Sequence, residues 1–81
     1  MRVTLLLFGP LREKAARASL MLELSAGATA VDALQRAARL AGLPGEWLAG
    51  VRLARNGEYC EPDTPLEEGD EVALLPPVSG G

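Results

Sequence analysis

An α+β domain is what this sequence predicts, with a mixed sheet of four to five strands and one main helix across one face. Three observations carry that prediction. The runs Arg2 to Phe8 and Glu71 to Leu75, near the two ends of the chain, are apolar on both faces, as central strands are. A single stretch, Ala30 to Ala41, repeats its apolar residues at helical spacing. Asn56-Gly57 stands between two short strand-like runs and marks a tight hairpin. The 81 residues allow one hydrophobic core, so residues 1–81 are read as a single domain with 76–81 projecting as a C-terminal tail. A domain of this size hides only about 60% of the surface that its unfolded chain exposes. Little interior is left for a deep pocket, which argues against catalysis within the chain itself.

In Arg2 to Phe8, Val3, Leu5 and Leu7 share one face, and Thr4, Leu6 and Phe8 the other. Gly9-Pro10 ends the strand. Leu11 to Ala18 is rich in helix formers and suits a turn or two. Leu20, Leu22 and Leu24 then alternate with Met21 and Glu23 as a second strand. After the break at Ser25-Ala26-Gly27, Thr29 followed by Asp32 forms a capping box with Asp in place of Glu. The helix is predicted from Ala30 to Ala41, with Val31, Leu34, Ala38 and Ala41 on its buried face, and stops at Gly42 and Pro44. Gly45 to Gly50 is a connector held down by half-buried Trp47 and Leu48.

Val51 to Arg55 and Glu58 to Cys60 are the arms of the hairpin. Pro62 and Pro65 make Glu61 to Leu66 an irregular crossing segment that leads to the turn Glu68-Gly69-Asp70. In Glu71 to Leu75, Val72 and Leu74 face one way, Ala73 and Leu75 the other, and Pro76-Pro77 ends the strand. If the first and last strands lie side by side under the one helix, every amphipathic element buries its apolar side. That is the β-grasp arrangement; a ferredoxin-like fold would require a second long helix.

A net charge of −3, with arginines scattered among acids, offers no basic stripe for a nucleic acid. Val3 to Phe8 is too short to span a bilayer, and no leader pattern precedes it, so a cytoplasmic protein without membrane or nucleic-acid partners is expected. The chain has no histidine and one cysteine, which excludes Ser–His–Asp and Cys–His nucleophile systems and an intrachain thiolate zinc site. The single lysine, Lys14, follows no phosphate-cradling glycine loop. Glu67, Glu68, Asp70 and Glu71 form either a solvated turn or, in a cleft, an acid/base or metal cluster; Cys60 is read as a packed thiol rather than a nucleophile. No bound metal or cofactor is expected in this chain.

The segment Pro76-Pro77-Val78-Ser79-Gly80-Gly81 is the least ordinary part of the sequence. Two prolines favour an extended backbone and cannot donate to a sheet ladder. From Pro76 onward the chain can reach about 20 Å, at about 3.3–3.6 Å per residue. Gly80 and Gly81 lack side chains, so a terminal carboxylate can enter a narrow tunnel in another protein. By composition alone the same residues suit a frayed end.

The stretch Leu66 to Gly81 resembles the C-terminal signature of the MoaD-type small subunit of molybdopterin synthase, a ubiquitin-like sulfur carrier. Asn56-Gly57-Glu58 and the Phe8, Leu11-Arg12-Glu13 cluster resemble the family's other landmarks. Two positions depart from it: Arg55 stands where many relatives carry an aliphatic residue, and Leu74-Leu75 replaces a frequently aromatic pair. The departures bear on partner specificity and leave the reactive end untouched.

The resemblance implies that an E1-like, MoeB-type adenylyltransferase adenylates the Gly81 carboxylate with ATP and Mg, and that a sulfur donor such as a cysteine desulfurase converts it to a thiocarboxylate. A large, MoaE-type synthase subunit would then accept the tail and pass the sulfur to cyclic pyranopterin monophosphate. Gly81 and Gly80 would be the reactive end. Phe8, Arg12, Tyr59, Leu75, Pro76, Pro77, Val78 and Ser79 would contact partners. Strand alternation reaches Phe8 and Leu75 independently, since both point away from the predicted helix. The alternative for the apolar trio Phe8, Tyr59 and Leu75 is burial under the crossing segment Glu61 to Leu66. Carriers for the thiamin thiazole or for tRNA thiolation, and ubiquitin-like protein modifiers, share the Gly-Gly end and remain alternatives; an inert binding module is another.

Overall fold

The computed structural model describes residues 1–77, and Val78, Ser79, Gly80 and Gly81 lie outside them. Its elements are β1 (Arg2–Leu7), α1 (Gly9–Ala15), β2 (Ser19–Glu23), α2 (Ala30–Ala41), a 3-10 turn (Gly45–Leu48), β3 (Arg52–Arg55), β4 (Glu58–Cys60) and β5 (Glu71–Leu75). The sheet order is β2-β1-β5-β3-β4. β1 and β5 run parallel at the centre, and every other pair is antiparallel. This is a β-grasp sheet.

Alternation explains the layering. Val3, Leu5 and Leu7 of β1 and Val72 and Leu74 of β5 are buried on the face that α2 covers. The sheet supplies the bulky side chains, and α2 fills the remaining space with Ala30, Ala33 and Ala37, all fully buried. The buried seam of α2 is therefore rotated from the expected one: Val31, Leu34, Ala38 and Ala41 are only half-buried. The larger side chains of the helix sit at its flanks because the leucines beneath leave room only for methyl groups at close packing. The capping box forms as the spacing predicts. The Asp32 carboxylate accepts from the Thr29 N–H at 2.8 Å and from its hydroxyl at 3.1 Å. At the other end the Leu43 N–H reaches the Ala38 carbonyl at 2.9 Å and the Leu43 side chain is buried beneath it.

Two local expectations are corrected. Gly9-Pro10 ends the strand and also begins α1, which runs Gly9–Ala15 rather than from Leu11. Proline suits that first turn, where its missing N–H would have had no partner. Trp47 is exposed rather than an anchor, while Leu48 is half-buried against the core. The crossing segment is bound to the start of α2, with the Ala30 N–H on the Thr64 carbonyl and the Val31 N–H on the Pro62 carbonyl, both at 2.9 Å. Among the described residues no helix is long and apolar enough to cross a membrane.

Candidate functional site

Cross-strand register assigns the uncovered face. Leu6 stands opposite Ala73, Ala73 opposite Ala54, and Ala54 opposite Tyr59, so these four form one row across the sheet. Directly opposed residues share a face, and the neighbours Leu5 and Leu7 are buried on the other side. The next row holds Leu75 opposite Arg52, beside Phe8 at the end of β1. Phe8 is 42% and Tyr59 67% exposed, whereas Leu6, Ala73 and Leu75 are half-buried. The face is thus apolar at its middle and bears aromatic side chains at two margins. Burial of the trio under residues 61–66 does not occur, because that segment bonds to residues 28–31 by α2.

Polar groups border this face. The Arg52 guanidinium lies 4.5 Å from the centroid of the Tyr59 ring, a cation–π contact between diagonal neighbours. Sequence reasoning missed Arg52, although the Asn56-Gly57 turn was a usable signal. Both residues have positive φ, which pairs Arg55 with Glu58 and so places Arg52 two positions from the partner of Tyr59. Arg12 is exposed in the first turn of α1, where its N–H meets the Phe8 carbonyl at 3.4 Å. Arg12 therefore follows Phe8 by one helical turn, with its side chain exposed.

The route to the tail starts here too. β5 is flanked by β1 and β3, and after Leu75 it continues into half-buried Pro76 and exposed Pro77. The exit lies at the centre of the sheet's end, adjoining Phe8 and Leu75. The remaining predicted site residues, Val78, Ser79, Gly80 and Gly81, fall outside the described residues.

At the opposite end of β5 the acidic cluster is divided. Asp70 is buried, and its carboxylate accepts from Arg55 Nε at 2.7 Å, Asn56 Nδ2 at 3.0 Å and the Glu67 N–H at 2.7 Å. The Arg55 hydrogen bond lowers the Asp70 pKa to about 2, against the opposing effect of burial. The turn was expected to be solvated as a whole, and Asp70 corrects that: it joins the β3–β4 hairpin to the start of β5. The same ion pair accounts for an arginine at position 55. Cys60 is half-buried beside the core. Among the described residues no group of three His, Cys, Asp or Glu side chains is arranged to hold a metal.

Comparison with known proteins agrees with this geometry. The ThiS family model matches residues 5–81. Small archaeal modifier protein 1 of Haloferax volcanii is 35% identical over 93% of this chain and 95% of its own length. A crystal structure of that protein superposes with a TM-score of 0.89 at 29% identity, covering 100% of both chains. A protein of Pyrococcus furiosus assigned as molybdopterin converting factor subunit 1 gives 0.84 at 27% identity, over 96% of this chain and 99% of that one. The complex of subunits 1 and 2 of molybdopterin-converting factor from Helicobacter pylori gives 0.67 at 29% identity, with 100% of both chains covered.

Proposed function

The chain belongs to the ThiS family of ubiquitin-like β-grasp sulfur carriers, and we propose from this that its working group is the carboxylate of Gly81, which delivers sulfur for molybdopterin. An E1-like activating enzyme, using ATP and Mg, joins that carboxylate to AMP and releases pyrophosphate. A carboxylate is a poor electrophile and its adenylate is a reactive one. The outer sulfur of a persulfide on a donor such as a cysteine desulfurase then displaces AMP, and a thiol cleaves the resulting acyl disulfide to a thiocarboxylate, leaving a disulfide behind. A large synthase subunit takes up the tail, and the sulfur passes to cyclic pyranopterin monophosphate. In this chain Phe8, Tyr59 and Leu75 form the docking face, Arg12 and Arg52 its polar rim, and Pro76 to Gly81 the delivered segment. Acid–base chemistry during transfer belongs to the partner.

The observation that carries the reading is the junction of the two parts. The strand that ends at Leu75 leaves the sheet beside the uncovered apolar face, so a partner seated on that face also meets Pro76 and Pro77, from which residues 78–81 continue. The Helicobacter pylori relative is seen in complex with a second subunit, which suits such an arrangement.

A second reading, protein modification, is favoured by the 35% identity with small archaeal modifier protein 1. Both readings share activation at Gly81 and differ in the acceptor. The test is the intact mass of the thiocarboxylated chain before and after addition of a large synthase subunit and cyclic pyranopterin monophosphate. Return of sulfur to oxygen only when both are present supports the molybdopterin acceptor. A persistent thiocarboxylate, together with conjugates on lysines of other proteins in cells, replaces it with the modifier reading. Gly81→Ala keeps the fold in either case and slows adenylation or transfer at least tenfold; wild-type rates would overturn the role of the terminus.

A further inference from the structure

Two glycines far from the tail in sequence touch its base. At the end where β5 leaves the sheet, β1 has just passed into α1 and β3 is about to begin, because β1 is parallel and β3 antiparallel to β5. The residue beyond β1 and Phe8 is Gly9, at φ +56°, and the residue ahead of Val51 and β3 is Gly50, at φ +78°. A Cβ on Gly9 would stand 3.3 Å from Cγ of Pro76. A Cβ on Gly50 would stand 3.3 Å from Cβ and 3.7 Å from Cγ of Pro77. Carbon atoms settle at about 3.5–4.0 Å, so each position lacks a side chain where a proline ring rests. The two rings also wall an apolar groove of about 230 Å³ with Pro10, Leu11 and Trp47.

We propose that Gly9 and Gly50 are positioning residues that seat Pro76 and Pro77 and so aim the tail for delivery of its carboxylate. The role rests on the carrier reading above. Each proline fixes its own φ near −65°, so the pair transmits the orientation of its base to the residues beyond it. A misplacement of about 1 Å at a reacting centre costs on the order of a hundredfold in rate. Displacement of the rings by a few tenths of an ångström therefore changes the position and direction from which the chain leaves Pro77.

The test uses the intact chain and a control matched for backbone strain. Gly27 has φ +88° and nothing within 4 Å of an added Cβ, so Gly27→Ala carries the left-handed penalty without touching the prolines. Trp47 is the chain's one tryptophan, and its emission reports on the groove. Gly9→Ala and Gly50→Ala are expected to shift that emission and to lower kcat for ATP–pyrophosphate exchange with an E1-like activating enzyme at least tenfold. KM for the chain stays within about threefold, because the docking face is intact. Gly27→Ala leaves both readouts at the wild-type level. Pro76→Ala removes the Cγ that the new methyl group meets, so in the Gly9→Ala background it restores the rate to that of Pro76→Ala alone. Glycine variants that behave like Gly27→Ala, or an emission shift without a loss of rate, overturn the proposal while wild-type exchange is normal. A wild-type chain that supports no exchange overturns the carrier reading, and this role with it.

Discussion

The Asp70 carboxylate has three donors from two parts of the chain: the guanidinium of Arg55 and the amide of Asn56 in the hairpin, and the backbone of Glu67. Asn56 completes the joint, since its side-chain oxygen accepts from the Glu71 N–H at 2.9 Å and its own N–H reaches the Glu71 carbonyl at 2.8 Å. Loss of the charged acceptor leaves Arg55 and a backbone N–H short of partners, so Asp70→Ala is expected to cost about 2–4 kcal/mol in chemical denaturation. The sign of the pH effect is set by the lowered pKa. The folded state releases the Asp70 proton at about pH 2, below the ordinary aspartate value of 3.8, and so binds fewer protons than the unfolded state between them. This stabilisation is complete above about pH 4 and is lost as the pH falls through about 2. Denaturation midpoints of Asp70→Asn are expected to lack that part of the wild-type decline; an unchanged decline would assign it to other carboxylates. On the uncovered face Phe8 is exposed and belongs to the proposed docking face. Phe8→Asp is expected to change stability by less than about 1 kcal/mol while weakening docking on a large synthase subunit or an activating enzyme at least tenfold by calorimetry.

Among the elements, α2 is the most tightly specified. Its seam of Ala30, Ala33 and Ala37 is fully buried against a sheet that brings leucines, so a larger side chain has no space to enter. Ala33→Leu is expected to cost about 1–3 kcal/mol in urea unfolding, whereas Leu40→Ala, at a position 55% exposed, changes it by less than about 0.5 kcal/mol. The limits Ala30–Ala41 and Glu71–Leu75 were legible in the sequence because each has strong local punctuation: a capping box and Gly42 for the helix, a Gly-Asp turn and two prolines for the strand. The buried face of α2 was not legible. Alanine and leucine both count as apolar in a periodic pattern, and only the volume of the facing sheet decides which goes inside. α1 was misplaced because Gly9-Pro10 serves equally as a strand end and a helix start. Trp47 was expected to anchor its loop, yet it lines a groove whose opposite wall comes from Pro76 and Pro77, distant in sequence.

For the molecule as a whole, the sheet separates the core from the candidate site. The core cluster lies between β1, β5 and α2, while the uncovered face and the tail exit occupy surface that the core does not need. Within the described residues the candidate site was legible in proportion to how local its signals are: the two prolines were read directly, Phe8 and Leu75 came from strand alternation, and the Arg52–Tyr59 stack and the seat of the prolines depend on neighbours from separate strands. This separation makes a prediction about the chain shortened to residues 1–79. Every residue of the core cluster is retained, so the thermal midpoint is expected to match that of the full chain within about 2 °C by calorimetry. The proposed docking face is retained as well, but the group proposed to be activated is gone. The shortened chain is therefore expected to occupy an activating enzyme without being adenylated, inhibiting the full chain competitively with a Ki within about threefold of the KM of the full chain. Such inhibition assigns binding to the face and reaction to the terminus, because a ligand recognised mainly through its reactive end loses affinity when that end is removed. Loss of inhibition at an unchanged thermal midpoint would move recognition to Gly80 and Gly81 and leave Phe8, Tyr59 and Leu75 without the docking role.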